Sequence, residues 1–196
     1  MPTPTLPNSD VSPIRPIGGL TADDYRKTPE GPPWYELIDG HLIEEPSPTD
    51  PHQHFVGEVF AALLAWAKRQ DAGIVRVAPF DVYLSERNVV QPDVLFVAAA
   101  RRAICRYDGV YGPPDLVVEA LSPSNAKLTR TRKPAIYAES GVGELWLADP
   151  VLRSLSVFRF KEDPFRPVET VGTGDLLRSP LLPGFEIAAT ELFPAR

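Results

Sequence analysis

The chain has little sulfur chemistry to offer: Cys105 is its single cysteine. That excludes an internal disulfide framework and a cysteine-rich zinc site. Nothing beside Cys105 marks it as a nucleophile, so a small, partly buried side chain is expected there. No run approaches the ~18 apolar residues of a membrane-crossing helix. Met1 to Pro7 lack the basic start and the apolar stretch of a secretory signal, so a cytoplasmic protein without a membrane partner is the expectation. A basic excess is missing as well. The formal net charge is −6, which gives no electrostatic support for indiscriminate nucleic-acid binding. Acid is missing locally: no Asp or Glu lies between Glu119 and Glu139, where Lys127, Arg130, Arg132 and Lys133 fall. This run reads either as a positive face or as a solvated helix flank, and charge alone does not choose.

Prolines at 2, 4, 7, 13 and 16, followed by Gly18-Gly19, make residues 1–19 a disordered tail. Residues 20–196 suit one domain. Thr21 is placed to cap a short helix whose first turn carries Asp23 and Asp24. Trp34 to Glu44 divides around Asp39-Gly40, a strong hairpin signal. Phe55, Val56, Val59, Phe60, Leu63, Leu64 and Ala67 recur at helical spacing, which predicts a helix over 52–70. Strands are expected at 74–84, 92–98 and 116–121, the last two apolar enough to be central. The stretch 99–114 shows no strong pattern. A helix over 124–140 closes at Gly141, with Ser122-Pro123-Ser124 as the turn and N-cap leading into it. Strands at 144–150 and 154–160 form a second hairpin, and 172–193 is loop-rich. The resulting core order is helix, three strands, helix, strand: a mixed α/β (α+β) domain with one sheet and helices packed on it.

Two of those apolar strands each carry one carboxylate. An ionised acid taken out of water costs several kcal/mol unless it is paired, so Asp93 and Glu119 both require partners. Alternation puts Asp93 on the face of Leu95 and Val97, and Glu119 on that of Val117 and Leu121. If the strands are neighbours with matched faces, the acids converge. Mg²⁺ suits such a pair, because it takes one or two protein carboxylates and keeps several waters. The bland alternative is that Asp93 caps a turn while Glu119 pairs with a buried Arg or Lys. Lys133 is placed to reach the end of the Glu119 strand, although a surface lysine is the commoner fate. His52-Gln53-His54 does not read as a metal pair, since side chains two apart on a helix point different ways. His52 fits better as a polar group near the site.

These residues together resemble a known family. Tyr35-Glu36-Leu37-Ile38-Asp39-Gly40, His52 before a long apolar helix, Gln91-Pro92-Asp93-Val94, Pro114 through Ser124, Lys133 with Tyr137, and Glu144 through Pro150 are similar to the Uma-type family of putative restriction endonucleases, a branch of the PD-(D/E)xK nuclease superfamily. Leu177-Arg178-Ser179-Pro180 and Leu182-Pro183-Gly184-Phe185 extend the likeness over about residues 20–193. The resemblance implies a restriction-endonuclease-like fold and an endonuclease that hydrolyses DNA with Mg²⁺ or Mn²⁺. It implies Asp93 and Glu119 as metal ligands, with Glu36 and Lys133 completing the catalytic set. Two positions depart from the pattern. Leu121 stands where the superfamily's lysine would fall, which passes that role to Lys133, and Thr129 stands where the family commonly has an acid. The alternative these departures raise is a nuclease-fold protein that binds nucleic acid or a protein without cutting. Enzymes that cut both strands often act as homodimers, but no interface is legible in the sequence.

Overall fold

The computed structural model describes residues 19–29, 31–122 and 126–193. The predicted tail up to residue 18 lies outside the described residues, as does the proposed N-cap at Ser124. Thr21 caps α1 (Ala22–Tyr25) through a reciprocal capping box with Asp24. Strands β1 (Tyr35–Ile38) and β2 (His41–Glu44) form the expected hairpin. Its turn holds Asp39 at φ 53° and Gly40 at φ 79°, the left-handed pair that matches the twist of the flanking strands.

Helix α2 (Asp50–Gln70) starts with Pro51 in its first turn and ends with Lys68 and Arg69 against the negative end of its dipole. Its buried stripe of Phe55, Val59, Leu63 and Trp66 packs on Val94, Phe96, Leu116, Val118 and Trp146. Those residues belong to a six-stranded sheet formed by β3 (Gly73–Val77), β6 (Val94–Ala98), β8 (Leu116–Ala120), β9 (Glu144–Asp149), β10 (Ser154–Arg159) and β11 (Glu169–Val171). The spatial order is β11-β10-β9-β8-β6-β3. Strand β8 runs parallel to β9 and antiparallel to β6, and both β8 and β9 are buried almost throughout.

The expectation of one sheet is corrected. A separate five-stranded sheet joins the first hairpin to β4 (Val82–Ser85), β5 (Asn88–Val90) and β7 (Val110–Tyr111), in the order β2-β1-β5-β4-β7. The predicted strand over 74–84 is two strands, β3 and β4, which enter different sheets. Pro79 lies between them and has no N–H to donate to a continuous ladder. The patternless stretch 99–114 contains a 3-10 helix, Ala99–Ile104, before β7. In the loop-rich end, β12 (Leu176–Arg178) pairs with β13 (Glu186–Ala188), and α5 (Ala189–Leu192) follows.

The predicted helix over 124–140 is also divided, into α3 (Ala126–Thr131) and α4 (Lys133–Ser140). Pro134 causes this: it lacks an N–H, and its ring collides with the carbonyl four residues back in an unbroken helix. The break puts Lys133 at the first position of α4. Gly141, at φ 88°, closes α4 as predicted. Between the two large sheets and α4 lies a second apolar cluster, with Ile38, Val82, Leu95, Val97, Val117, Leu121, Ile136 and Tyr137. The carboxylates sit at the margin of this cluster.

Candidate active site

The register between β6 and β8 pairs Val94 with Val118 and Leu95 with Val117. The strand expected from residue 92 starts at Val94, so Asp93 lies just before β6, and the register continued by one residue brings it beside Glu119 at the end of β8. Asp93 is clamped to the end of β8, since its Oδ2 accepts from the Ala120 N–H at 2.7 Å. His52 in the first turn of α2 brings Nε2 to 3.3 Å from the same oxygen. His54 is exposed, so the two histidines diverge as expected.

Glu119 is almost wholly buried. The Lys133 ammonium donates to its two oxygens at 3.2 and 3.3 Å, and the Tyr137 hydroxyl donates to its Oε1. Lys133 and Tyr137 are four residues apart, one above the other on a single face of α4. The same ammonium lies 3.0 and 2.8 Å from the oxygens of Glu36, which also accepts from the Gln91 backbone N–H at 2.7 Å. Glu36 comes from the five-stranded sheet and Glu119 from the six-stranded one. Lys133 therefore ties the two sheets together through a buried charge. Arg132 fixes that geometry from outside: its Nε and Nη2 bond both oxygens of Asp39 in the hairpin turn, at 2.6 and 2.7 Å.

The electrostatics are unbalanced. Glu36, Glu45, Asp93 and Glu119 are coupled within one cluster, against Lys133 and His52. Burial pushes Glu119 up to about 7; Lys133 opposes that shift, while Glu36 and Asp93 reinforce it. Burial and the neighbouring Glu36 push Glu45 up to about 8. Burial alone would lower Lys133, but Glu119 and Glu36 outweigh it and hold the ammonium charged. His52 behaves alike: burial depresses it, and the hydrogen bond and charge of Asp93 raise it above its ordinary value. The cluster thus relieves its crowding of acids by holding protons on Glu119 and Glu45 where isolated carboxylates would have released them, and an added cation would compete with those protons.

Among the described residues, no three His, Cys, Asp or Glu side chains converge as a ready-made metal centre. The chemistry still fits Mg²⁺, which can be held by two carboxylates with waters and phosphate oxygens completing its shell. Glu36 is engaged with Lys133 and Gln91. Leu121 packs in the apolar cluster, and Thr129 is buried. The basic run does not become a broad positive face: Arg130 pairs with Asp149, Arg132 with Asp39, and Lys133 is buried, while Lys127 is exposed. Sequence reasoning gave no role to Glu45, Gln91 or the Tyr137 hydroxyl. Of these, Gln91 and Tyr137 stood in motifs already singled out, and Tyr137 also lay four residues from Lys133.

No curated protein matches the chain. The chain is similar to a crystal structure described as a putative nuclease belonging to DUF820 from Anabaena variabilis, with 22% identity and a TM-score of 0.76. The match covers 89% of this chain and 98% of that one, and at this identity it shows the fold. The Uma2 family, described as putative restriction endonuclease, matches residues 22–190. That span includes both strands with acids, the hairpin with Glu36 and the helix with Lys133, and the chain belongs to the Uma2 family of putative restriction endonucleases.

Proposed function

We propose that the protein is a Mg²⁺-dependent endonuclease hydrolysing DNA phosphodiester bonds. One observation carries the reading: Asp93, at the entry to β6, is bound to the β8 backbone at Ala120 beside Glu119, in a cluster of acids with a lysine against Glu119. Asp93 and Glu119 would hold the divalent ion. When bound, that ion supplies Lewis acidity to a phosphoryl oxygen and polarises a water for attack. Lys133 orients the attacking water or steadies charge developing on the phosphate, and the cluster's other side chains set the position of these groups. Tyr137 fixes one oxygen of Glu119, His52 fixes one oxygen of Asp93, and Glu36 holds the ammonium from the opposite sheet. Asp93 is the most open of these carboxylates, with a side-chain exposure of 16% against 5% for Glu119 and 0% for Glu36, so DNA approaches from its side.

The test is cleavage of plasmid DNA by the purified full chain with Mg²⁺ or Mn²⁺. Asp93→Asn and Glu119→Gln are each expected to lower the rate by about 100-fold or more. Cleavage that persists unchanged in either variant removes that residue from the site. A second reading, a nuclease fold that binds nucleic acid or a protein partner without cutting, is favoured by one observation. The Lys133 ammonium is committed to two glutamates and buried at 2% exposure. Calorimetry separates the two: no heat of Mg²⁺ or Mn²⁺ binding, together with a retained DNA shift, supports the non-cutting form.

A further inference from the structure

A cavity of about 680 Å³ lies beside the acid cluster rather than over it. This falls within the usual range for small-ligand sites. Its wall includes Trp34, Tyr35, Tyr83, Tyr107 and Arg26. Large aromatics are normally buried, yet here Trp34 is 41% exposed and Tyr107 is fully exposed. Beside them stands a stack of flat groups. The Tyr83 and Tyr111 rings lie 4.7 Å apart at 12°, the Arg26 guanidinium sits 4.6 Å from the Tyr83 ring centre, and that of Arg106 sits 4.2 Å from Tyr111. A polar wall completes the cavity. Asp81 Oδ1 accepts from the Tyr25 hydroxyl and the Gln91 side-chain amide, both at 2.8 Å.

The cavity is joined to the acids through its own wall. Gln91 presents its side chain to Asp81 and its backbone N–H to Glu36. It precedes Asp93 by two residues, a backbone reach of at most about 7 Å. Tyr35 directly precedes Glu36, and the Trp34 carbonyl accepts from the Glu45 N–H at 2.8 Å. We infer that this cavity takes an unpaired nucleobase of a nucleic-acid strand whose phosphate lies at the acid cluster, making single-stranded or unpaired segments the preferred substrate. The inference rests on the nuclease reading for the role of the phosphate, though not for base binding itself.

Three considerations favour this occupant. Trp34 and Tyr107 present exposed rings at the cavity, and an aromatic face stacks on any base once that base is out of its duplex. Arg26 and Arg106 bring guanidinium planes to the stack, but Arg26 is paired with Asp23, and Asp108 and Asp81 accept only from neutral Tyr and Gln groups, so stacking rather than net positive charge is what the cavity offers. Finally, a net charge of −6 gives little general attraction for the phosphates of a duplex, so stacking carries a larger share of affinity.

Intrinsic fluorescence gives a readout independent of cleavage. Trp66 and Trp146 are buried at 3% and 0% exposure, and Trp34 is the accessible tryptophan. The full chain, without divalent ions, is titrated with oligo-dT, with oligo-rU, and with a blunt duplex of equal length. The expected result is quenching by single strands, absent in Trp34→Phe. Trp34→Ala and Tyr107→Ala, both at exposed positions, are expected to weaken single-strand binding by about 5- to 100-fold each. A stronger response to dT or to rU assigns the sugar, and either supports the inference. Equal quenching by duplex, or single-strand binding that leaves Trp34 emission and both alanine variants unchanged, overturns it. Quenching without cleavage of any substrate overturns the nuclease reading and leaves the base site standing.

Discussion

Glu119 and Glu144 are buried glutamates on the adjacent strands β8 and β9, and their surroundings differ in kind. Glu144 is answered by neutral donors: Trp146 Nε1 at 2.6 Å on one oxygen and Ser179 Oγ at 2.8 Å on the other, with Arg159 at 3.8 Å. Burial still raises its pKa, but each oxygen is satisfied within a local arrangement. Glu119 shares one ammonium with Glu36 and feels Asp93 as well. A buried acid surrounded by neutral donors stabilises the fold. A buried acid surrounded by other acids retains an electrostatic demand that a ligand can meet.

The largest effect expected from this difference is on stability. Lys133→Met leaves Glu36 and Glu119 facing each other without a cation, at a cost of about 3–5 kcal/mol. Arg159→Met is expected to cost only about 1 kcal/mol, because that guanidinium lies 3.8 Å from Glu144 and its closer pair, with Glu169 at 2.9 Å, is on the surface. Urea unfolding of both variants checks this. Equal losses would erase the distinction between the two glutamates. Adding Glu119→Gln to Lys133→Met should recover part of the loss, since the two like charges no longer face each other and only Glu36 is left buried without its cation.

A smaller, opposite-signed pair comes from the glutamates themselves. Glu144→Gln replaces one of two carboxylate oxygens, each of which accepts from its own donor, by an amide N–H₂, which costs about 1–2 kcal/mol, or a Tm loss of about 2–6 °C. Its cleavage and ion binding are expected to stay within a few-fold of the parent. Glu119→Gln removes surplus charge, so in ion-free buffer its Tm is expected to hold or rise while ion binding in calorimetry is lost. A large Tm loss in Glu119→Gln, with ion binding intact, would make Glu119 a structural acid like Glu144.

The sequence carried some of this and not the rest, for identifiable reasons. Asp93 and Glu119 were legible because a charge inside an apolar strand is conspicuous, and Asp39-Gly40 because two left-handed residues define a hairpin turn. The second sheet was not legible: β5 has three residues and β7 two, too short for any periodicity to register. The Lys133–Glu36 contact joins residues 97 apart, which no local spacing encodes, so Glu36 rested on family resemblance. The helix break is written in Pro134, whose missing N–H and ring do not allow one unbroken helix over 124–140. The four-residue step from Lys133 to Tyr137 was present too, but became meaningful only once Glu119 lay under that face.

The finest separation of the two environments is by pH. Three groups in the acid cluster have folded pKa values above their unfolded ones: Glu119 at about 7, Glu45 at about 8, and His52 above its ordinary 6.5. Between the ordinary carboxylate range and these values the native state holds protons that the unfolded chain has released. Stability contributed by these groups is therefore complete below pH about 4.5 and is lost as pH rises toward about 8. The slope is at most about 1.4 kcal/mol per pH unit for each proton. Glu144 is also raised and adds to the decline, so wild-type Tm alone does not separate the regions. A divalent ion does. Saturating Mg²⁺ is expected to flatten the part of the Tm decline that Glu119→Gln removes, and to leave untouched the part that Glu144→Gln removes. If Mg²⁺ flattens neither, the surplus charge around Glu119 is balanced within the protein, and the two glutamates differ only in their choice of donors.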